Sequence, residues 1–173
     1  CIMKLIRDSW ENPGDYVYIA PTRIQAKRIA WLKLLRFMPD AQKHLVKWKD
    51  EQSLFVQNLK GGRVILLGSD NPDSLRGEGW KGVVLDEYAD MNPYTFDVIF
   101  PSLRESKGYC WFMGTPKGYN HFYEVFIKDK DFHDATYKTA EDTFVRTDPD
   151  YKSLVFKTED NPYFPKESID KAR

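Results

Sequence analysis

The sequence predicts an α/β fold built on a mostly parallel sheet. Short continuous apolar runs, such as Val83 to Leu85 and Cys110 to Met113, are typical of strands that are buried on both faces. Segments with helical spacing lie between these runs, which is the order expected when helices cover both faces of a sheet. With 173 residues, the chain is long enough for one domain with a full core.

The composition argues against several classes of protein. The 26 basic and 26 acidic side chains cancel, so the chain does not coat nucleic acid by bulk charge, although one local basic face remains possible. No apolar stretch approaches the about 18 residues that span a bilayer, and Cys1 and Cys110 lack metal-ligand or redox spacing. We therefore expect a cytoplasmic protein without a membrane contact. The basic face lies between Asp15 and Asp40, where no acid occurs, and comprises Arg23, Lys27, Arg28, Lys33 and Arg36.

The first elements follow from apolar spacing and from helix-breaking residues. CIMKLIRDSW predicts a helix that ends before Pro13 and Gly14, and DYVYIAP predicts a short strand. Thr22 is the expected N-cap of a second helix. The apolar face predicted for that helix consists of Ile24, Trp31, Leu35 and Met38.

The later elements continue the alternation. SLFVQNLKGGRVILLGS predicts two strands around a turn at Gly61 and Gly62, and KGVVLDE and GYCWFMG predict two buried strands. NPYTFDVIFPSLRES predicts a helix with a break near Pro101, and KGYNHFYEVFIKD predicts another helix. The pattern weakens after about Asp131. We therefore expect a core at 1–130 and a small peripheral extension at 131–173.

Two adjacent acids, Asp86 and Glu87, end the run of Val83 to Leu85. Sites in open α/β sheets form at the carboxyl ends of strands. An aspartate there can hold Mg²⁺ on a nucleotide, and a neighbouring glutamate can polarise the attacking water, as in the P-loop NTPases. Capping or solvating a turn is the alternative interpretation of the same acids.

A second strand ends in a tight turn at Gly114, Thr115 and Pro116. Thr115 is placed to sense a phosphate or to contact a neighbouring element, although glycine and proline also occur in ordinary turns. No G-K-[ST] occurs in the chain, although such a sequence normally cradles the phosphates. We expect the chain to start downstream of its phosphate loop (Walker A), and to bind and hydrolyse nucleotide poorly on its own.

Four segments in this order resemble the large terminase subunit of tailed bacteriophages, whose ATPase domain pumps DNA into procapsids. In this chain, the segment VYIAPTRIQAKRIAW resembles the part of the family's sequence that follows the Walker A helix. The segment SDNPDSLRGEGWKGVVLDEYADM resembles the family's Walker B region. The coupling motif is similar to FMGTPKGYNHFYEVF, and the segment that leads to the nuclease domain is similar to TEDNPYFPKESIDKAR. The resemblance implies a P-loop NTPase-like, three-layer fold followed by a lid or linker at 131–173.

The resemblance also implies roles for individual residues. Asp86 would be the Mg-coordinating Walker B aspartate, and Glu87 would be the catalytic glutamate. Arg76 would be a candidate arginine finger that acts on a neighbouring subunit of a ring, with a surface salt bridge as the alternative. The coupling residues would be Gly114, Thr115 and Pro116, of which Thr115 would also face the nucleotide.

ATP and Mg²⁺ are the implied cofactors, and double-stranded DNA, a homo-oligomeric ring, the terminase small subunit and the portal are the implied partners. The implied location is the cytoplasm of an infected bacterium. Arg23, Lys27 and Lys117 are candidates for contacts to the DNA backbone. Two alternatives stay open, namely a helicase-like DNA translocase and a non-catalytic DNA-binding or docking remnant of the same fold.

Overall fold

A computed structural model of the chain describes residues 1–37, 54–76, 79–128 and 150–155. The chain divides into two compact units, Cys1–Phe122 and Tyr123–Arg173. A five-stranded sheet in the order β2-β3-β1-β4-β5 forms the centre of the first unit. The strands are β1 (Asp15–Ala20), β2 (Leu54–Gln57), β3 (Arg63–Gly68), β4 (Trp80–Leu85) and β5 (Tyr109–Phe112). The helices are α1 (Ile2–Glu11), α2 (Arg23–Ala26), α3 (Leu32–Phe37), α4 (Tyr94–Ser106) and α5 (His121–Phe126), with a π-helical segment at Lys27–Trp31 and 3₁₀ turns at Pro72–Leu75 and Tyr88–Asp90.

The sheet is mostly parallel, as predicted. Strand β1 pairs in parallel with both β3 and β4, and β4 pairs in parallel with β5. Strand β2 is antiparallel to β3 and forms a hairpin with it, with Gly61 in the turn at a φ of 89°. The predicted α/β fold class and the predicted glycine turn are therefore confirmed.

Strand β1 is buried on both of its faces. Tyr16, Tyr18 and Ala20 pack into a core cluster with α1 and the second helix, whereas the alternating residues Val17 and Ile19 are fully buried on the opposite side. Helix α4 packs against β4 through a different set of buried residues. Helices therefore cover both sides of the sheet, and continuous apolar strands are the sequence pattern that such a sheet requires.

The first helix agrees with its prediction. Ile2, Leu5 and Ile6 are its buried apolar residues, and the helix ends at Glu11, where Asn12 provides the cap. The backbone N–H of Asn12 donates to the carbonyl of Asp8 at 2.8 Å. The chain then enters β1 through the predicted break.

The second helix begins as predicted but buries a different face. Thr22 is its N-cap, and the side chains and backbone N–H groups of Thr22 and Gln25 form a capping box. Ile24, however, is 79% exposed. The inner face comes close to the sheet through small alanines, and the π-helical segment changes the spacing further along. The buried residues are Ala26, Ala30, Trp31 and Leu34, so the predicted face was wrong at Ile24, and Met38 lies outside the described residues.

Helix α4 continues through Pro101, so the predicted break was wrong. A proline inside a helix removes one backbone donor and opposes the carbonyl four residues earlier, which here belongs to Asp97. Both residues are exposed, so water can satisfy that carbonyl. Tertiary packing through the buried Val98, Ile99 and Leu103 holds the helix together.

The second unit is described at 123–128 and 150–155. Within it, the hydroxyl of Ser153 donates to the carbonyl of Phe126 at 2.6 Å, and the Lys128 ammonium lies 4.9 Å from the centre of the Tyr151 ring. The predicted boundary at 130 falls inside this unit. The lid or linker role of 131–173 stays a prediction, and most of that segment lies outside the described residues.

Candidate active site

The carboxyl ends of three parallel strands meet at one edge of the sheet. Ile19 of β1 is in register with Leu85 of β4, and Leu85 is in register with Phe112 of β5. The backbone N–H of Asp86 donates to the carbonyl of Ile19 at 2.9 Å. Asp86 and Glu87 therefore lie at the centre of this edge, between the turns that follow β1 and β5.

The Asp86 carboxylate is held by a tyrosine of the neighbouring strand. The hydroxyl of Tyr18 donates a hydrogen bond to Asp86 Oδ2. Tyr18 is 2% exposed. Burial first, and then the hydrogen bond to Asp86, raises the pKa of Tyr18 above its usual range, so the hydroxyl stays protonated and remains a donor.

Sequence reasoning missed Tyr18. An alternating aromatic pattern in the strand places Tyr18 on the same face as Tyr16, which by itself indicates core packing. Its proximity to Asp86 depends on β1 being the direct neighbour of β4. That pairing is a property of the assembled sheet, so no local pattern could have revealed it.

Glu87 adopts a left-handed backbone conformation with φ 57° and ψ 46°. This conformation is uncommon for a residue with a Cβ atom and often marks a functional position. It turns the chain sharply out of β4 into the 3₁₀ turn at Tyr88–Asp90. The side chain of Glu87 is half-buried beside Asp86.

Gly114 packs directly against Glu87. Its φ is +150°, and a Cβ atom built on it would lie 3.1 Å from the Glu87 Cα and 3.3 Å from Glu87 Oε2. A side chain at this position would therefore push against the backbone and the carboxylate of Glu87. The glycine is required by this close approach as well as by its own φ.

Tyr88 connects the same turn to the chain beyond Gly114, because both of its backbone groups bind that segment. Its N–H donates to the carbonyl of Met113 at 2.9 Å, and its carbonyl lies 2.8 Å from His121 Nε2, which donates if it carries the proton. The Tyr88 ring is also edge-on to Phe112 and His121, with centroids at 4.9 Å and 4.7 Å. The sequence assigned His121 no role, and only its position in space reveals this contact.

The other two predicted coupling residues are exposed. Thr115 and Pro116 lie on the surface directly after Gly114. The Lys117 ammonium forms an ion pair with Asp90 Oδ1 at 2.5 Å, and both side chains are about half exposed, at 52% and 43%. This ion pair links the turn after β5 to the turn after β4. A DNA phosphate would have to compete with Asp90 for Lys117.

The partners of Arg76 are Asp73 and Tyr94. It follows the 3₁₀ turn at Pro72–Leu75, and its side chain is 58% exposed. Its guanidinium forms an ion pair with Asp73 at 2.9 Å and also contacts the hydroxyl of Tyr94. The hydrogen bond to Asp73 raises the pKa of Arg76 further. The structure therefore presents an exposed arginine with local partners.

Arg23 and Lys27, the two DNA-contact candidates on the basic face, differ in exposure. Arg23 is half-buried, its backbone N–H donates to Asp70 Oδ1 at 2.9 Å, and its Nη2 is buried without a hydrogen-bond partner among the described residues. Lys27 is exposed. Of the two candidates on this helix, Lys27 therefore has the more accessible charge.

An open groove of about 330 Å³ lies next to the acidic pair. Tyr18 and Asp86 form its polar end, and Lys33 contributes a cation. The other lining residues are Cys1, Ile2, Met3, Ile29, Ala30, Phe37 and Met113. A larger hollow, of about 480 Å³, lies on the outer face of α4 and is lined by none of the predicted site residues.

The donor set fits a metal that is shared with a phosphate. Mg²⁺ prefers oxygen ligands and is usually held by one or two carboxylates together with substrate phosphates and water. Asp86 supplies such a carboxylate in the lining of the groove, and Glu87 follows it in the chain. Within the part of the chain that the structure describes, no group of three or more potential metal-ligating side chains occurs.

The described helices include none that is both long enough and apolar enough to cross a membrane.

A mostly parallel sheet covered on both sides, with paired acids at the end of a central strand, defines a P-loop NTPase-like α/β protein. The class follows from the strand arrangement and from the position of Asp86 and Glu87.

Comparison with known proteins shows which members of this class the chain is similar to. Terminase large subunits of Thermus phage G20c and Thermus virus P23-45 are each 43% identical to the chain over 61 residues, which is 34% of this chain. The matched stretch spans 12% of the length of these curated relatives. No protein-family model matches the chain.

Solved structures show the same fold. The large terminase ATPase domain of Thermus phage P74-26 superposes with a TM-score of 0.65 at 23% identity, covering 86% of this chain and 66% of that domain. The large terminase of a thermophilic bacteriophage, solved in complex with ADP, superposes with a TM-score of 0.51 at 16% identity, covering 66% of this chain and 29% of that one. A stretch of 61 residues in the chain is thus similar to terminase large subunits, and the fold is similar to that of a large terminase ATPase domain.

Proposed function

We propose that this chain is the ATP-hydrolysing part of a viral motor that moves double-stranded DNA into a procapsid. The observation that carries the proposal is the packing of Gly114 against Glu87 at the carboxyl edge of the sheet. This contact joins the proposed catalytic acid to the proposed coupling segment. The homology to terminase large subunits supports the same conclusion.

Asp86 is proposed to hold Mg²⁺ on ATP. Its backbone is anchored to Ile19 and its side chain to Tyr18, so the carboxylate is fixed before a nucleotide arrives. The bound metal would neutralise charge on the β- and γ-phosphates. The neighbouring groove of about 330 Å³ supplies space for the nucleotide next to this carboxylate.

Glu87 is proposed to orient and polarise the water that attacks the γ-phosphate. A carboxylate accepts a hydrogen bond from the water and takes its proton as the water oxygen bonds to the γ-phosphorus and the bond from that phosphorus to the leaving ADP oxygen breaks. The left-handed backbone and the contact with Gly114 restrict where this carboxylate can lie. Restricted position is what water activation needs, because small misplacements of a catalytic group cost large factors in rate.

The coupling step is proposed to run through the Glu87–Tyr88 turn. A movement of Glu87 during hydrolysis would displace Gly114, which it contacts, and Tyr88, whose backbone binds Met113 and His121. Thr115 and Pro116 follow on the surface, where a moving part could be engaged. Thr115 is also proposed to sense the nucleotide.

Arg76 is proposed to act as an arginine finger on the nucleotide of a neighbouring subunit in a homo-oligomeric ring. Its exposure, at 58% of the side chain, suits a group that must leave its own surface. Asp73 and Tyr94 would hold the guanidinium until the neighbouring subunit is engaged. Such fingers contribute on the order of 10³ to 10⁵ in rate where they occur.

Contacts to DNA are proposed to involve the backbone phosphates, because a packaging motor must accept every sequence. Arg23, Lys27 and Lys117 are the candidates, and the exposed Lys27 is the most accessible of them. A Lys27→Ala variant should show a shallower salt dependence of DNA binding by about one unit of slope. Contacts with the terminase small subunit and the portal, in the cytoplasm of an infected cell, belong to the same proposal.

The test is a Glu87→Gln substitution in the protein that contains this chain. We expect ATP hydrolysis to fall by at least about 10³-fold, while binding of a non-hydrolysable ATP analogue changes little, because the glutamine keeps the shape but cannot take a proton. Glu105→Gln, at an exposed position of α4, is the matched control and should leave both values unchanged.

Two results would contradict the proposal. Undiminished hydrolysis by Glu87→Gln would remove Glu87 from the mechanism. A parent protein that binds DNA but hydrolyses no ATP would favour the non-catalytic docking alternative, and unwinding without dependence on a procapsid would favour the helicase-like one.

A further inference from the structure

Tyr18 is a buried residue of β1 whose hydroxyl contacts the acidic pair. Its hydroxyl binds Asp86 Oδ2 from the neighbouring strand. We propose that Tyr18 is a positioning residue that orients the Asp86 carboxylate for a divalent cation. This inference rests on the proposed function, because it assigns Tyr18 a task at the same metal site.

The position of the hydroxyl is fixed by packing. Tyr18 belongs to the core cluster formed by α1, the second helix and the sheet, and it is in register with Val84 of β4. Asp86 is bound to the same strand a second time through its backbone N–H and Ile19. One backbone anchor and one side-chain anchor from β1 therefore define the orientation of the carboxylate.

The hydrogen bond uses one oxygen of the carboxylate, so the other can serve as a metal ligand. The partner is also neutral. A lysine or arginine at this position would cancel the negative charge that attracts the cation, whereas a hydroxyl holds the carboxylate and preserves that charge. Partners of this kind orient metal ligands, and their loss typically lowers metal affinity about 10 to 100-fold.

The same strand offers a matched control. Tyr16 lies two residues earlier on the same face and is equally buried, at 2% exposure. Its hydroxyl donates to the carbonyl of Asn12 at 2.9 Å, close to the amino end of β1. Tyr16→Phe therefore removes a buried tyrosine hydroxyl from this strand without removing a contact to Asp86.

The experiment measures the affinity for Mn²⁺ by electron paramagnetic resonance, in the presence of a non-hydrolysable ATP analogue. The protein is the full chain that contains this segment. We expect Tyr18→Phe to weaken Mn²⁺ binding about 10 to 100-fold and Tyr16→Phe to change it less than about twofold. Binding of the analogue without metal should be similar in all three proteins.

A double substitution separates positioning from a general effect on the fold. If Tyr18 acts through Asp86, Tyr18→Phe should have no further effect on Mn²⁺ binding when Asp86→Asn is already present. Additive losses in the double variant would overturn the inference, because Tyr18 would then act independently of the carboxylate. Circular dichroism and thermal unfolding identify any variant that is not folded.

Equal Mn²⁺ affinities of Tyr18→Phe and the parent would also overturn the inference, while hydrolysis by the parent would leave the proposed function in place. A parent that binds neither Mn²⁺ nor the analogue would overturn both. The two failures are therefore distinguishable.

Discussion

The two edges of the central sheet use polar residues in opposite ways. At the carboxyl edge, Glu87 has a left-handed backbone, Asp86 and Glu87 are half-buried, and Asp86 lines an open groove. At the amino edge, polar groups bind one another. There Asp15 pairs with Arg63, and the Asn58 side chain joins the β2–β3 turn to α1.

At the amino edge, the side chain of Asn58 makes hydrogen bonds through both its nitrogen and its oxygen. Its amide nitrogen donates to the carbonyl of Ser9 at 2.9 Å, and its Oδ1 accepts from the backbone N–H groups of Lys60 and Gly62 at 2.9 Å and 3.1 Å. Asn58 is 4% exposed. The comparison shows a buried side chain with several hydrogen bonds at the amino edge, and a left-handed backbone with partly exposed carboxylates at the carboxyl edge.

Among the substitutions that test this difference between the two edges of the sheet, Gly114→Ala is expected to have the largest effect. The new Cβ would lie 3.1 Å from the Glu87 Cα, so Glu87 must move, and ATP hydrolysis should fall about 10²-fold because the catalytic carboxylate is misplaced. Steady-state ATPase assays of the protein that contains this chain measure the loss.

Gly61→Ala is the control at the opposite edge. Gly61 also has a positive φ, of 89°, but a Cβ there would meet nothing within 4 Å. We expect a loss of about 1 kcal/mol in stability and unchanged hydrolysis. Equal activities for the two alanine variants would show that the contact between Gly114 and Glu87 has no role in ATP hydrolysis.

Asn58→Ala should have the opposite effect to Gly114→Ala, because it should lower the stability of the fold and leave the rate of ATP hydrolysis per folded molecule unchanged. The substitution leaves the Ser9 carbonyl and two backbone N–H groups without their partner in a buried site. The free energy of unfolding should fall by about 3 kcal/mol. Chemical denaturation measures it, and activity per folded molecule should stay constant.

Asn71→Ala is the corresponding control. Asn71 is exposed and provides no side-chain cap to the 3₁₀ turn that follows it. Its substitution should change stability by no more than about 0.5 kcal/mol. A loss as large as that of Asn58→Ala would show that the buried network contributes nothing special.

The smallest expected effect concerns acid unfolding. Burial alone would raise the pKa of Asp8, but hydrogen bonds from Lys4 and Tyr109 outweigh it, so the pKa lies below its usual value of 3.8. A lowered pKa in the folded state gives stability that is present above the unfolded pKa and is lost as the pH falls through the folded one. Tyr109→Phe removes one donor, so its acid-unfolding midpoint, followed by circular dichroism, should shift to higher pH.

The control for this shift is Tyr94→Phe. The hydroxyl of Tyr94 contacts the exposed Arg76 and not a half-buried carboxylate. Its loss should leave the acid midpoint in place. Equal shifts in the two variants would mean that Asp8 is not the group that responds.

Local patterns predicted much of this arrangement. Continuous apolar runs located β1, β4 and β5, the two glycines located the hairpin turn, and Thr22 located the start of the second helix. The acidic pair could be placed at a carboxyl edge because it directly follows β4. Each of these predictions depends on residues that are close in sequence.

The errors and omissions depend on tertiary packing. Helix α4 continues through Pro101 because its buried face compensates for the lost backbone donor. Ile24 is exposed because alanines line the close approach of the second helix to the sheet. The contacts from Tyr18 to Asp86 and from His121 to Tyr88 join residues that are distant in sequence, so they depend on strand order and on the path of the chain after β5.

The left-handed backbone at Glu87 sets the stability of the fold in conflict with the catalytic role that we propose for this residue. A residue with a Cβ atom is strained there by about 1 kcal/mol, which glycine would relieve. Selection for a durable fold alone would favour glycine at position 87, whereas selection for ATP turnover would retain the glutamate. A glutamate that is retained at this position despite mutation would therefore indicate continued selection for ATP hydrolysis.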